Sequence, residues 1–388
     1  MRVRVLQSTA EFAALAETWE RLQSDAVITS VFETFGWQYL WWETYGRGQP
    51  LKILVASVKD TVVGILALYV QTQAMLRYPV RQLRFVGTGG DTFPDDLGPV
   101  LARGHEDAVA RAFADTVMGF ADWDVLLLTD MDPACPFTKA IDAAAGTARL
   151  ACLGGRSDRI AFLDLPGSWE DWLKSLSGDR RYRIRNIRKK LNAAYPSRFF
   201  AWSDPATLNQ GIDRLIQLHH KRWQSIGLPH SFNSPEYVGF HRAVMADCFK
   251  HDRLRLYCLE LSGQIVAMYY FYRFRNRVYL MQSGFDPDYS KVKPGQVLLG
   301  HIVEHAISEG DTVLDFLKGD HQYKDELASG ERETLYLTAF RPSPGGWVYR
   351  ARRIHLPALK AAGRRLLARV RPPAPVAPPT PPAPPAAG

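Results

Sequence analysis

Side chains that can move protons are concentrated in a short stretch near the end of the chain's second half. Asp315 closes an apolar run, and Asp320, His321 and Lys324 follow within nine residues. A carboxylate or an imidazole here can orient a substrate or accept its proton, and a lysine can stabilise negative charge. The alternative is a surface loop in which Lys324 pairs with Asp320, an interaction worth only about 0.5 kcal/mol.

A helix predicted from Trp169 to about Asn192 contains the strongly basic run D-R-R-Y-R-I-R-N-I-R-K-K. At helical spacing three arginines of this run share one face: Arg181, Arg185 and Arg188. Arginine binds phosphate through two parallel hydrogen bonds, so this face is a candidate site for a nucleotide-sugar diphosphate. The alternative is the solvated face of an amphipathic helix, which the missing acidic partners disfavour.

A loop rich in glycine and aspartate, residues 87–96, is a candidate for binding the acceptor. Its spacing does not match the G-x-G-x-x-G pattern of dinucleotide sites. Three carboxylates in it can face a cleft between two lobes and bind an amino sugar: Asp91, Asp95 and Asp96. A simple turn is the alternative, because aspartate and glycine favour turns.

His301, Glu304 and His305 form the pattern H-x-x-E-H, which is the inverted zinc-peptidase signature. A zinc site also requires a third ligand, and no second motif follows in the sequence. We attribute the match to chance and expect no metal cofactor.

The distribution of charge disfavours a nucleic-acid-binding body. The net charge is +8, but nine basic residues and no acidic residue follow Glu333, so residues 1–333 are close to neutral. A DNA-binding domain is expected to carry its own basic surface. The longest apolar stretch is about half a membrane span, and no secretory signal pattern is visible. With four cysteines that lack C-x-x-C spacing, we expect a cytoplasmic protein that does not bind DNA.

The C-terminal tail divides into a basic amphipathic segment, residues 346–371, and a Pro/Ala-rich end, residues 372–388, which we expect to be disordered. The basic segment contains two arginine pairs: Arg352, Arg353, Arg364 and Arg365. They are candidates for contact with an anionic membrane surface or with an anionic small molecule such as a cyclic dinucleotide. A solubilising extension is the alternative.

The two halves of the chain show the same order of predicted elements. The first half contains a hairpin, a helix and an apolar strand, at residues 51–70, 106–120 and 125–128. The second half contains three strands, a helix and a closing strand, at residues 253–261, 265–274, 277–283, 294–308 and 312–317. Short connections indicate antiparallel pairing. We therefore predict an α/β (α+β) protein with two similar lobes, residues 1–155 and 156–345.

The second half also resembles one family in its motifs. The run G-F-D-P-D-Y at 284–289, K-P-G-Q at 293–296 and D-F-L-K-G-D-H-Q-Y-K at 315–324 resembles the CelD/BcsL-type GNAT N-acetyltransferases, which are linked to exopolysaccharide, cellulose and holdfast synthesis. Those enzymes are similar to the FemAB-type peptidoglycan transferases, which pair two acetyltransferase-like lobes. The resemblance implies tandem GNAT lobes, each a mixed, mainly antiparallel sheet flanked by helices, and it favours catalytic roles in the run 315–324.

The resemblance also implies a site for the acyl donor at the start of the predicted helix. Enzymes of this type carry a Q/R-x-x-G-x-G/A loop whose backbone N–H groups bind the pyrophosphate of acetyl-CoA. The equivalent loop here keeps Gly295, followed by Gln296, and adds Lys291 and Lys293, which can bind phosphate as point charges. Tyr289, just before the loop, is a candidate proton donor. We expect acetyl-CoA as the donor, and the altered loop leaves aminoacyl-tRNA as the alternative.

These features predict an acyl-CoA-dependent N-acetyltransferase with catalysis in the second lobe. Its acceptor is expected to be a sugar, a nucleotide-sugar or a lipid-linked precursor of the cell envelope, met in the cytoplasm or at the inner membrane. Two alternatives stay open. One is a FemAB-like transferase that uses aminoacyl-tRNA, and the other is a non-catalytic scaffold gated by a ligand such as a cyclic dinucleotide.

Overall fold

The computed structural model describes residues 1–26, 30–319 and 327–356. Five residues with predicted roles lie outside these ranges: Asp320, His321, Lys324, Arg364 and Arg365. Their roles stay predictions. Among the helices within the described ranges, none is long and apolar enough to cross a membrane.

The first half of the chain folds into a sheet with helices on its faces. Its elements are β1 (Arg2–Leu6), α1 (Thr9–Ala13), α2 (Ala16–Asp25), α3 (Phe35–Trp41), β2 (Leu51–Val58), β3 (Thr61–Met75), β4 (Tyr78–Phe85), β5 (Val100–Leu101), α4 (Glu106–Gly119), β6 (Val125–Met131) and α5 (Pro136–Thr147). The predicted hairpin is confirmed as β2 and β3, which pair antiparallel from Leu51 opposite Tyr69 to Val58 opposite Thr61.

The second half contains most of the elements that form the candidate site. They are β7 (Ala151–Asp164), α6 (Trp169–Ser175), α7 (Gly178–Ala194), β8 (Ser197–Ala201), α8 (Leu208–Ser225), α9 (Pro235–Lys250), β9 (Leu254–Leu261), β10 (Gln264–Phe274), β11 (Arg277–Phe285), α10 (Pro294–Ser308), β12 (Val313–Asp315), β13 (Gly330–Phe340) and α11 (Pro344–Arg350). The predicted meander is confirmed as β9, β10 and β11, and the helix at 294–308 as α10. The single helix predicted from Trp169 is wrong: Ser177 accepts a hydrogen bond from the Arg180 N–H and caps a new helix, α7.

All strands of the described residues belong to one continuous sheet. Their order is β1-β2-β3-β4-β6-β13-β7-β12-β11-β10-β9-β8, and β5 pairs with β3. The last strand, β13, lies between β6 of the first half and β7 of the second and is antiparallel to both. The pairs β4–β6 and β11–β12 are parallel. The mixed, mainly antiparallel sheet is therefore confirmed, while the lobe boundary predicted at residue 155, which falls inside β7, stays a prediction.

The larger hydrophobic core extends through both halves. Trp37 on α3 is buried, and its ring packs edge-on against Phe240 of α9 at 5.0 Å and against Tyr272 of β10 at 5.9 Å. Each such pair adds about 1 kcal/mol to the stabilisation from area burial. A second core on the opposite face of the sheet joins α6 and α10 to the strands through Trp172, Leu298 and Ile302. Both faces of β9–β11 are thus covered, which fixes the elements of the site.

Candidate functional site: two clefts that meet at Arg222

A cleft of about 290 Å³ opens beside the first turn of α10. Its walls are largely apolar: Trp172, Ile184, Ile187, Tyr269, Phe285, Leu299 and Val303. Its polar side consists of Arg180, Arg183, Arg222 and the start of α10. An apolar trough with cations and helix N–H groups at one end fits a ligand that joins phosphate groups to an uncharged chain. We call it the donor cleft.

The start of α10 has the backbone of an anion site. Lys293 precedes the helix with a left-handed φ of 51°, and Pro294 takes the first position, where an N–H is not needed. Pro294 has no N–H and the Gln296 N–H donates to the Lys293 carbonyl at 3.0 Å, so the Gly295 N–H is the first-turn donor that can bind a phosphate in the cleft. Lys293, Gly295 and Gln296 line the donor cleft as predicted. Lys291 is exposed in the preceding 3₁₀ turn and is not part of the described lining.

Beside the donor cleft, β11 and β12 separate. They pair in parallel over only three positions, from Arg277 opposite Val313 to Tyr279 opposite Asp315. Beyond these positions β11 continues along β10, whereas the chain after Asp315 turns towards β7. A backbone N–H of β11 that has lost its neighbouring strand can donate to a carbonyl oxygen of a ligand bound in this gap.

A larger cleft of about 700 Å³ lies between the two halves of the molecule, and we call it the acceptor cleft. Residues 90–93 form part of one wall, and α8, the loop after it and β11 form the other. The lining includes the carboxylates Asp91 and Asp158, the aromatic rings of Trp223 and Tyr237, and His230. Carboxylates attract an ammonium group, and aromatic rings pack on the apolar face of a sugar. The cleft can therefore hold a polar acceptor that carries an amine.

Arg222 lines both clefts and lies at their junction. Its Nη1 donates to Oγ of Ser283 at 2.8 Å, and its guanidinium lies 5.3 Å from the centre of the Phe285 ring. Ser283 is on the part of β11 that no longer pairs with β12. A guanidinium in this place can stabilise the negative charge that develops on a thioester oxygen during attack.

His219 fixes α8 against β11. Its Nε2 accepts the N–H of Ser231 at 3.3 Å, and its Nδ1 donates to the carbonyl of Ser283 at 2.9 Å. Burial lowers the pKa of His219 to about 4, so the ring is neutral at physiological pH. Because both ring nitrogens are engaged, His219 is a positioning residue for the strand.

Three carboxylates surround the ammonium group of Lys318. Its Nζ lies 2.7 Å from Asp130, 3.3 Å from Asp95 and 3.5 Å from Asp158. Asp95 is completely buried, and this burial raises its pKa to about 7 although Lys318 opposes the shift. Asp95 therefore ties the loop of the first half to the chain after β12. Of the three predicted acceptor-binding aspartates, Asp91 lines the cleft and Asp95 lies in this ion-pair cluster.

Asp315 belongs to a second buried cluster. It forms ion pairs with Arg277 and Arg332, each at 3.0 Å, and accepts the N–H of Leu317 at 2.9 Å. Arg332 also pairs with Asp96, the third predicted acceptor-binding residue, whose pKa burial raises to about 6. Asp315 and Asp96 thus hold β12, β13 and the loop together, and neither is part of the described lining of a cleft.

The basic helix α7 turns a different face to the donor cleft than its sequence indicates. Arg180 and Arg183 line the cleft, one step around the helix from Arg181. Two members of the predicted face form ion pairs with other elements. Arg185 binds Glu170, and Arg188 binds Glu304 at 2.7 Å. The expectation of missing acidic partners is therefore wrong, because the partners come from α6 and α10.

Several other predicted residues lie apart from the clefts. Tyr289 packs its ring on Tyr195 at 5.8 Å, and its hydroxyl lies 3.5 Å from Oε1 of Gln264. His301 stacks on Phe199, and within the described ranges no group of three His, Cys, Asp or Glu side chains is arranged to hold a metal. Arg352 and Arg353 are exposed in the turn after α11.

Sequence patterns alone do not predict the residues at the junction of the donor and acceptor clefts. They come from the end of α8, where the run H-H-K-R-W occupies positions 219–223. The cluster of histidine, arginine and tryptophan at the end of a predicted amphipathic helix is a sequence feature that could have indicated a functional site. The contact of this helix end with Ser283 depends on tertiary packing, and no local pattern indicates it.

Comparison with known proteins agrees with this geometry. Residues 178–325 match a family model described as an acetyltransferase (GNAT) domain. The matched segment contains α7, β11, α10 and the divergence of β11 from β12, and so most of the donor cleft. No curated protein matches the chain.

Solved structures resemble the whole molecule at low sequence identity. FemX has a TM-score of 0.62 and 9% identity over 90% of this chain and 99% of its own. A conserved protein of unknown function from Bacteroides thetaiotaomicron has a TM-score of 0.54 and 12% identity over 87% of this chain and 100% of its own. L-PGS from Bacillus licheniformis has a TM-score of 0.51 and 12% identity over 87% and 96%.

The fold and the matched domain define an acyltransferase with tandem acetyltransferase-like lobes, and a GNAT domain uses acyl-CoA as its donor. The predicted fold class and enzyme class are confirmed. The finer resemblance to the CelD/BcsL type stays a prediction.

Proposed function

We propose that the protein transfers an acetyl group from acetyl-CoA to an amine of a sugar or sugar precursor used for extracellular polysaccharide of the cell envelope. The observation that carries this proposal is the meeting of the two clefts at Arg222. One cleft has the cations and helix start that fit a phosphate-bearing donor, and the other has the size and polarity for an amine-bearing acceptor. We propose that the reaction takes place in the cytoplasm, before export.

The chain's residues supply binding and charge stabilisation to a direct transfer. The acceptor nitrogen forms a bond to the thioester carbon, the carbon–sulfur bond breaks, and CoA leaves as a thiol after gaining a proton. Lys293 and the start of α10 hold the donor phosphates, and Arg222 stabilises the developing oxyanion. Among the described residues we assign proton acceptance to His230, because its ring lines the acceptor cleft and its Nδ1 has no hydrogen-bond partner within the described part of the chain. Asp320, His321 and Lys324 stay candidates for the same step.

Calorimetric titration with acetyl-CoA tests the donor site. We expect micromolar binding, a free energy of about −8 kcal/mol. Lys293→Ala should weaken it about tenfold, because it removes a charge beside the phosphates. Lys190→Ala is the matched control, since it removes an equal charge from the exposed side of α7 and should leave the affinity unchanged.

An assay of CoA thiol release with amino sugars and UDP-amino sugars tests the transfer. His230→Gln should lower kcat about a hundredfold without changing the affinity for acetyl-CoA. Donor binding without thiol release on any acceptor would favour the ligand-gated scaffold. Absence of binding at millimolar acetyl-CoA would sink the proposal in favour of an aminoacyl-tRNA donor.

A further inference from the structure

The mouth of the acceptor cleft carries three strongly exposed apolar side chains. Phe93 is 75% exposed, Ile226 is 57% exposed and Leu228 is 52% exposed. Single exposed apolar residues are ordinary on a protein surface, but several at one opening indicate a contact with something apolar.

These side chains lie on two loops that both contribute residues to the cleft lining. Phe93 lines the cleft from the first half, and Pro229, the residue after Leu228, lines it from the second. The two loops are joined directly, since the Ser234 hydroxyl donates to the Asp91 carboxylate. The three apolar side chains therefore belong to one rim.

The exposure of Phe93 follows from a fixed backbone. Thr92 and Asp95, on either side of it, are buried. The Trp41 indole N–H donates to Oγ1 of Thr92 at 2.9 Å, and Asp95 pairs with Lys318. The loop is thus anchored before and after Phe93, and the ring is held outward.

The second loop is anchored in the same manner. The N–H groups of Ile226 and Leu228 both donate to the carbonyl of Trp223, at 3.3 Å and 3.2 Å. Gly227 between them has a left-handed φ of 67°, which lets the chain turn there. Both apolar side chains are therefore presented at the end of α8, next to Trp223 in the cleft wall.

The interior of the same cleft carries a group of polar side chains. Asp158, Gln282 and Asn233 line it together with Ser231 and Lys318. Polar groups inside the cleft and apolar side chains at its rim match a molecule whose polar head is joined to an apolar chain. A free sugar or a nucleotide-sugar has no apolar chain that would lie along the rim.

We propose that the acceptor is an amphiphile: its amine-bearing head enters the acceptor cleft, and its apolar chain lies on Phe93, Ile226 and Leu228. This inference rests on the proposed function and narrows its acceptor to lipid-linked precursors. The rim then acts in acceptor selection and has no part in donor binding.

Alkyl glucosaminides of two chain lengths test the proposal. We would measure calorimetric affinities of butyl and dodecyl 2-amino-2-deoxy-β-D-glucoside, both below their micelle concentrations. Since burial of one CH₂ group strengthens binding up to about fourfold, the eight additional groups, even if largely exposed, should give at least about a 30-fold preference for the dodecyl probe. In Ile226→Ser/Leu228→Ser, which replaces two exposed rim residues outside the described cleft lining, the preference should fall below about fivefold, with the butyl affinity unchanged.

Leu76→Ser/Leu153→Ser is the matched control, because both leucines are exposed and lie outside the described cleft lining. It should keep the full preference. The proposal is overturned if the dodecyl probe binds wild type no better than the butyl probe, if neither probe binds, or if the preference survives in the rim variant. Acetyl-CoA affinity, measured on the same samples, checks folding. Its loss in wild type would count against the proposed function, whereas normal donor binding without a chain preference would refute the amphiphile alone.

Discussion

Single residues at the junction of the two halves carry charge in places that water does not reach. Asp95 is completely buried, and its carboxylate is held beside Lys318 and close to Asp96. Burial disfavours the ionised form, so the carboxylate retains a proton to a higher pH than in the unfolded chain. The position of the Phe93 loop therefore depends on an ion pair whose formation depends on pH.

We expect Asp95→Asn to change the pH dependence of stability. The folded pKa of Asp95 is about 7, above the ordinary value of 3.8, so the folded state binds more protons between these values. Its stabilising contribution is complete below about pH 4 and is lost as pH rises through 7. The variant should therefore be more stable relative to wild type at pH 8 than at pH 5, by on the order of 2 kcal/mol.

Urea unfolding of both proteins at the two pH values measures this difference. Asp60→Asn, in the exposed β2–β3 turn, is the control and should show no such change. An equal difference at pH 5 and pH 8 would mean that Asp95 does not titrate in this range.

At the scale of elements, the site depends on how closely α8 approaches β11. Gly284 on β11 faces the α8 backbone, and an added Cβ would stand 2.3 Å from the nitrogen of His219. Glycine is needed here because no backbone atom of a packed helix can move aside easily. The close approach lets His219 bond to the Ser283 carbonyl and brings Arg222 to the junction of the clefts.

Gly284→Ala should destabilise the protein by roughly 3 kcal/mol and weaken activity, because α8 must move away from β11. Gly239→Ala is the matched control. It lies within α9 with no atom near its added Cβ and should stabilise by up to about 1 kcal/mol. Thermal unfolding measures both, and an unchanged midpoint for Gly284→Ala would show that α8 adapts.

The sequence predicts the positions of helices and strands well, but it predicts poorly which neighbouring elements their side chains face. The strands of the meander and α10 follow local hydrophobic patterns, and the structure has them within a few residues. The face of α7 that meets the donor cleft is set by the packing of Ile184, Ile187 and Leu191 on the second core. Because that packing is tertiary, Arg180 and Arg183 could not be chosen over Arg185 from spacing alone. Likewise, the partners that bury Asp315 are remote in sequence.

At the scale of the whole molecule, the two lobes form one body. β13 pairs with β6 on one side and with β7 on the other, and the larger core includes side chains of both halves. The larger core and the continuous sheet therefore both depend on residues of the two halves. The acceptor cleft therefore lies between elements that share one sheet and one core.

We expect one cooperative unfolding transition rather than two. Circular dichroism and tryptophan fluorescence should give the same midpoint, because neither half is stable without the other. Hydrogen exchange on β2 and β3 should speed up in Gly284→Ala, although the substitution lies in the second half. Separate transitions, or unchanged exchange in β2 and β3, would show that the lobes fold independently.

The place of β13 also has a consequence during synthesis. Residues 330–340 leave the ribosome after all the other strands of the described residues, yet they fill the middle of the sheet. Until then β6 and β7 expose unpaired edges, which are prone to associate with other nascent chains. A truncated product that ends before residue 330 would keep these edges exposed, so we expect it to aggregate more readily than a chain that includes β13.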